Sequence, residues 1–220
     1  MRIKIGRDIE RYIKSRVHKF FLKQDDFTII SNNCWGTFMY KKFGLPYNSP
    51  FINLMMFGPD YIDMLENFSI DLLSQITFIE QEKSKHIDEL KKLGIFGAKY
   101  PIGLLFGKYE LHFLHYTTIE DAREKWFRRL KRINPKKMVF KFSDGDKFEE
   151  NMAQRFDNLI FKNKVCFVSK KYPELKSMVS LKKFQNNNRV HDEWKNANKE
   201  FNALDFFNHI QTNEKVFHEN

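Results

Sequence analysis

The stretch Phe27-Thr28-Ile29-Ile30-Ser31-Asn32-Asn33-Cys34-Trp35-Gly36 sets the reading of the chain. Four β-favouring residues end in Ser-Asn-Asn, the residue types that cap helices and form turns. A helical segment, Trp35 to Phe43, follows and is stopped by Gly44. Strand, polar turn and helix in that order make the first half of a β-α-β unit.

The same alternation runs outward from it. Strands are predicted at 76–80, 102–106, 110–116, Met138–Phe142 and 164–169, and helices at 83–93, from Thr117 to about Ile133, and at 147–159. Gly58-Pro59-Asp60 opens a further helix, because proline is tolerated in a first turn. Thr117-Thr118-Ile119-Glu120 fits a capping box from Thr117 to Glu120. Phe51–Phe57 is an apolar run that reads equally as a strand or a buried helix. The predicted fold class is α/β, a largely parallel sheet with helices on both faces. Three regions follow: a basic amphipathic helix within 1–23, an α/β domain over 24–184, and a polar, partly helical tail over 185–220.

Composition narrows the function classes. The 220 residues include 38 Lys and Arg against 28 Asp and Glu, a net charge of +10. Residues 1–23 hold eight basic residues and two acids, and residues 122–142 hold nine basic residues and one acid. Such clustering favours an anionic partner: a phosphorylated small molecule such as a nucleotide sugar, an acidic membrane surface, or nucleic acid. No nucleic-acid-binding motif accompanies the charge, which makes a basic nucleic-acid-binding module the weaker alternative. No run approaches the ~18 apolar residues of a membrane span, and no secretory h-region is present. Cys34 and Cys166 are too few for a disulfide scaffold, so a reducing cytoplasm is expected.

Ligands of open parallel sheets bind beyond the carboxyl ends of the strands. Three segments place chemistry there. Ser31, Asn32, Asn33, Cys34 and Trp35 lie where a helix N-terminus favours an anion, with Trp35 able to stack on a sugar or base. His115 and Tyr116 end the strand Leu111-His112-Phe113-Leu114-His115-Tyr116, and His115 is a candidate base near neutral pH. Arg128 and Arg132 on the following helix are candidates to bind phosphate, while Ala122, Trp126, Leu130 and Ile133 form a core-facing stripe. Asp144-Gly145-Asp146 follows a strand, with Asp144 a candidate catalytic acid. The pair resembles the DxD element of metal-dependent glycosyltransferases, but Asp-Gly is also an ordinary turn, and no metal site is assigned. No phosphate loop, dinucleotide fingerprint, GxSxG or HExxH occurs, and the sequence names no cofactor.

The run Ile30-Ser31-Asn32-Asn33-Cys34-Trp35-Gly36, with Tyr40, Gly44-Leu45, Tyr47 and Ser49-Pro50, resembles an uncharacterised bacterial family associated with exopolysaccharide biosynthesis. Tyr100-Pro101, the block His112 to Tyr116, Lys125-Trp126, Arg132-Ile133-Asn134 and Phe156-Asp157 extend the resemblance over roughly residues 20–170. It departs at Thr37, where the family often has a second glycine, which narrows backbone approach to a ligand. The resemblance implies a Rossmann-like α/β protein of capsule or exopolysaccharide synthesis, with a transferase on nucleotide- or lipid-linked sugars as the expected activity. A non-catalytic, membrane-peripheral scaffold of a polysaccharide assembly complex is the other expectation. The basic helix within 1–23 would serve either by resting on an acidic bilayer.

Overall fold

A computed structural model describes residues 2–213, without the side chains of residues 2–9 and Arg11. The side chains of the expected basic helix at positions 2–9 and Arg11, and the end of the tail at 214–220, lie outside the described residues. In chain order the elements are α1 (Arg2–Phe20), β1 (Thr28–Ser31), α2 (Trp35–Lys42), α3 (Gly58–Glu66), β2 (Ile76–Ile79), α4 (Ile87–Lys92), β3 (Ile102–Leu105), β4 (Tyr109–His112), α5 (Ile119–Leu130), β5 (Met138–Ser143), α6 (Asn151–Asn158), β6 (Lys164–Val168), β7 (Met178–Ser180), α7 (Glu193–Asn196) and α8 (Ala203–Asn208).

A four-stranded parallel sheet in the order β1-β5-β6-β7 carries the architecture. Alternate residues of its strands feed two cores, because successive side chains leave a strand on opposite faces. Ile30, Met138, Phe140, Phe142, Cys166 and Val168 pack with α3, α5 and α6. Ile29, Val139, Val165 and Phe167 pack with α2 and the C-terminal helices. Every residue of β1 and β5 is buried, which explains why β1 reads as a near-continuous apolar run. The tail is part of this second core: Phe207 is fully buried and stacks on Phe27 with ring centroids 4.5 Å apart. Gly36 lets α2 approach β1, since a Cβ there would lie 3.1 Å from Ile29 Cγ2.

The strands expected at 76–80, 102–106 and 110–116 do not join the parallel sheet. They form a separate antiparallel sheet, β2-β3-β4, inserted between α3 and α5. The cause is a three-residue connection, Phe106-Gly107-Lys108, with Phe106 at φ 51° and Gly107 at φ 64°. So short a link closes a hairpin, whereas a parallel crossover needs a dozen residues or more. Phe51–Phe57 is neither strand nor helix. It threads between cores as irregular chain, meeting β4 through one bridge, Met55 to His112. The cap of α5 falls one residue later than expected: Thr118 Oγ1 accepts from Asp121 N–H at 3.1 Å. β7, a three-residue strand, had no counterpart in the sequence reading. No described helix is long and apolar enough to cross a membrane.

Candidate functional site

At the carboxyl edge of the parallel sheet, β1 and β5 run side by side with Ser31 opposite Lys141. Lys141 and Ser143 project from the same face of β5, two residues apart. Lys141 is completely buried. Its ammonium, with three N–H donors, lies within hydrogen-bonding distance of four acceptors: Asn33 Oδ1 at 2.9 Å, Asn32 Oδ1 and Ser143 Oγ at 3.2 Å each, and Glu193 Oε1. Asn33 closes the network by donating to Glu193 Oε1 at 2.8 Å and Ser143 Oγ at 3.3 Å. It also braces the start of α2 by accepting from Trp35 N–H at 3.1 Å. Burial alone would raise the Glu193 carboxyl, but Lys141 and Asn33 outweigh it and hold the group below its ordinary range. The result is a buried ion pair with most hydrogen-bonding positions filled, the arrangement an interior charge requires.

Above this floor lies a cleft of about 280 Å³. Asn33, Cys34 and Asp146 line one side, and the segment from Arg189 to Trp194 lines the other. Asp146 is the titratable group of this cleft whose carboxyl is least satisfied by hydrogen bonds. Among the described residues its carboxylate accepts only a long 3.4 Å bond, from Asn32 Nδ2. Burial first, and the nearby Glu193 charge second, push its pKa up to about 6, against the opposing pull of Lys141 and Arg189. A carboxyl poised there can exchange a proton near neutral pH.

The loop carrying Asp146 is held tightly. A Cβ at Gly145 would lie 3.0 Å from Val190 O, and one at Gly58 would lie 2.8 Å from Lys147 O. Asp144 acts within this scaffold. Its carboxylate accepts from Ser169 N–H at 2.6 Å, Ser169 Oγ at 2.7 Å and Val190 N–H at 2.6 Å. It therefore ties the Arg189–Glu193 segment to the sheet, and its oxygens are already taken by those donors.

The expected site residues separate into two groups. Asn33 and Cys34 line the cleft, and Asn32 and Ser31 are buried beneath it. Trp35 is buried in the second core, 5.8 Å from the Phe167 ring, rather than open for stacking. Burial raises the Cys34 thiol to about 11, so it stays protonated at neutral pH. His115 is exposed and directly follows Leu114, which lines the cleft. Tyr116 is buried, donates to Ile52 O at 2.7 Å and accepts from Arg129 at 2.5 Å. Arg128 and Arg132 are exposed at the end of α5 that leads into the start of β5, where Asn134 N–H meets Thr28 Oγ1 at 2.8 Å. That is the amino edge of the sheet, opposite the cleft. Thr37 points elsewhere too, accepting from Asn53 N–H at 2.9 Å.

Lys141, Arg189 and Glu193 belong to no motif legible in the sequence. Lys141 carried a signal: a lysine inside Met138-Val139-Phe140-Lys141-Phe142 must be paired if the strand is central. Glu193 lies 52 residues away in a polar tail, and nothing local marks it.

Comparison with known proteins adds a family but no activity. A domain of unknown function, DUF1919, matches residues 5–214. An uncharacterized protein of Haemophilus influenzae is 34% identical over 207 residues, covering 91% of this chain and 93% of that protein. The match spans both sheets, the cleft and the C-terminal segment that supplies Glu193, and the chain belongs to the DUF1919 family.

Proposed function

We propose that the cleft is the catalytic centre of a group transferase of surface-polysaccharide synthesis, acting on a nucleotide- or lipid-linked sugar. In this reading the four-stranded sheet is a Rossmann-like platform with the substrate at its carboxyl edge. Asp146 accepts the proton of an acceptor hydroxyl as that oxygen bonds to the donor's anomeric carbon. The anomeric carbon–phosphate oxygen bond breaks, and the diphosphate leaves with the electron pair, its charge met by Arg189 at the cleft's exposed rim. Lys141, Glu193 and Asn33 hold the floor rigid. His115, beside the cleft, is a further candidate to touch the acceptor.

The observation that carries the reading is Asp146: a carboxyl with one long hydrogen bond and a pKa of about 6, facing a cleft at the sheet's carboxyl edge. The resemblance to exopolysaccharide proteins supports the substrate class. Two of the basic residues that favour a nucleic-acid reading are accounted for internally, Lys141 by Glu193 and Arg129 by Tyr116.

A thermal-shift panel of nucleotide sugars and free nucleotides tests it. A ligand at 100 times its dissociation constant adds about 2.7 kcal/mol of stability. One nucleotide sugar should raise the melting temperature of the protein, and Arg189→Ala should lose that shift. A shift of equal size in Arg189→Ala would remove Arg189 from the site.

A further inference from the structure

We propose that the outer face of α1 is a docking surface for an anionic lipid bilayer. The inference stands on α1 alone and is independent of any activity in the cleft.

Amphipathic helices ordinarily turn their apolar stripe inward. The described side chains of α1 do the reverse. The helix meets the rest of the protein through Ser15, which lies against Gly44, and His18, whose ring sits edge-on to Phe43 at 5.9 Å. A groove of about 590 Å³, lined partly by Lys14, Lys41 and Lys42, separates it from α2. Its C-terminal end is fixed by Asn208, which donates to Phe21 O at 3.0 Å and accepts from Lys23 N–H at 2.7 Å. With the helix held this way, Ile13, Val17, Phe20 and Phe21 form one stripe facing solvent. They are 56%, 50%, 83% and 58% exposed, with Tyr12 beside them at 64%.

Charge selects the occupant. Arg16 is exposed beside the stripe and Lys23 just beyond it, while Lys14, also exposed, is paired with Glu10 at 2.5 Å. Residues 1–23 as a whole carry eight basic residues against two acids. An apolar stripe bordered by lysine and arginine suits the boundary between acyl chains and anionic headgroups. A second copy of the chain suits it poorly, because a symmetric pairing of this face brings its basic flanks together.

The test is co-sedimentation of the full chain with phosphatidylcholine vesicles and with equimolar phosphatidylcholine–phosphatidylglycerol vesicles. The protein should pellet with the anionic vesicles and remain in solution with the neutral ones. Each of Arg16→Gln and Lys23→Gln should weaken partitioning roughly fivefold. Val17→Asp with Phe20→Asp should abolish it. Both positions are exposed, so that variant should keep the wild-type circular dichroism and melting temperature, which shows that it is folded. Failure to pellet with anionic vesicles overturns the proposal, as does pelleting that the double variant leaves unchanged. A wild-type dimer in solution that the double variant converts to monomer, without vesicle binding in either, assigns the face to a second copy instead.

Discussion

Lys141 and Glu193 form an ion pair with side chains 0% and 1% exposed, joining the carboxyl end of a central strand to a helix in the C-terminal tail. The pair draws in Asn32, Asn33 and Ser143, and so fixes three chain segments under one cleft. Breaking one side leaves the other charge buried and unpaired. Glu193→Gln or Lys141→Met should each cost about 3–5 kcal/mol in urea unfolding. Lys141→Met combined with Glu193→Leu should cost much less than the sum, because no charge is then stranded. Additive losses would mean that the two residues are not coupled.

Asp144 predicts a different pattern. Its three accepted bonds tether Ser169 and Val190. Asp144→Ala should lower stability by about 2–4 kcal/mol, since buried donors lose their partner. It should also speed proteolysis between residues 185 and 193, where the tether is released. Unchanged proteolysis would leave Asp144 without that anchoring role.

A pH dependence follows from His112. It is completely buried, 3.7 Å from Glu110 and 3.4 Å from the Tyr100 hydroxyl. Burial first, then the neighbouring His86, depress its pKa to about 3, against a weaker opposing pull from Asp60. The unfolded chain takes up this proton near pH 6.5 and the folded chain does not. Stability is therefore full above about pH 6.5 and falls as the pH drops toward about 3. Between about pH 6.5 and 5.0 the wild type should lose about 2 kcal/mol from this group. His112→Gln should show a much flatter profile over that interval. An identical slope in the variant would contradict the assignment.

Cys34 should behave as a buried thiol. With a pKa of about 11, its thiolate fraction at pH 7 is about one in ten thousand. Iodoacetamide should label it far more slowly than free cysteine, and Cys34→Ala should retain donor-induced stabilisation. Rapid labelling of native protein would show an activated thiol and contradict this.

What the sequence revealed and what it concealed divide along the range of the interactions. Phe27–Gly36 announced strand, turn and helix because each choice there is local: β-branched residues, an asparagine turn before α2, a glycine where α2 crosses β1. The antiparallel sheet was signalled by Phe106-Gly107-Lys108, too short for a crossover, yet the strand-and-helix rhythm suggested otherwise. At the site, the loop beginning at Ser31 was visible and its use was not. Asn32 and Asn33 face Lys141, and only the folded chain brings Lys141 and Glu193 together. Arg128 and Arg132 were attractive by charge alone, and the direction of β5 sets them at the sheet's other edge. The apolar stripe of α1 was plain in the sequence, but which way it faces is a tertiary fact.

The most direct test of the cleft as a catalytic centre is Asp146→Asn, compared with wild type for melting temperature and for release of the nucleoside diphosphate from the nucleotide sugar that stabilises the protein. The folded-state pKa of Asp146 lies above the ordinary carboxylate value, so ionising it costs stability as pH rises from about 4 to 6. Removing the charge should make the Asp146→Asn variant more stable than wild type at pH 7.5, by about 1–3 kcal/mol. The same variant should still bind the donor but release no nucleoside diphosphate, while His115→Ala retains at least part of the turnover. A more stable and inactive variant is the signature of a strained carboxyl kept for chemistry. Wild-type release of the nucleoside diphosphate by Asp146→Asn would contradict the account.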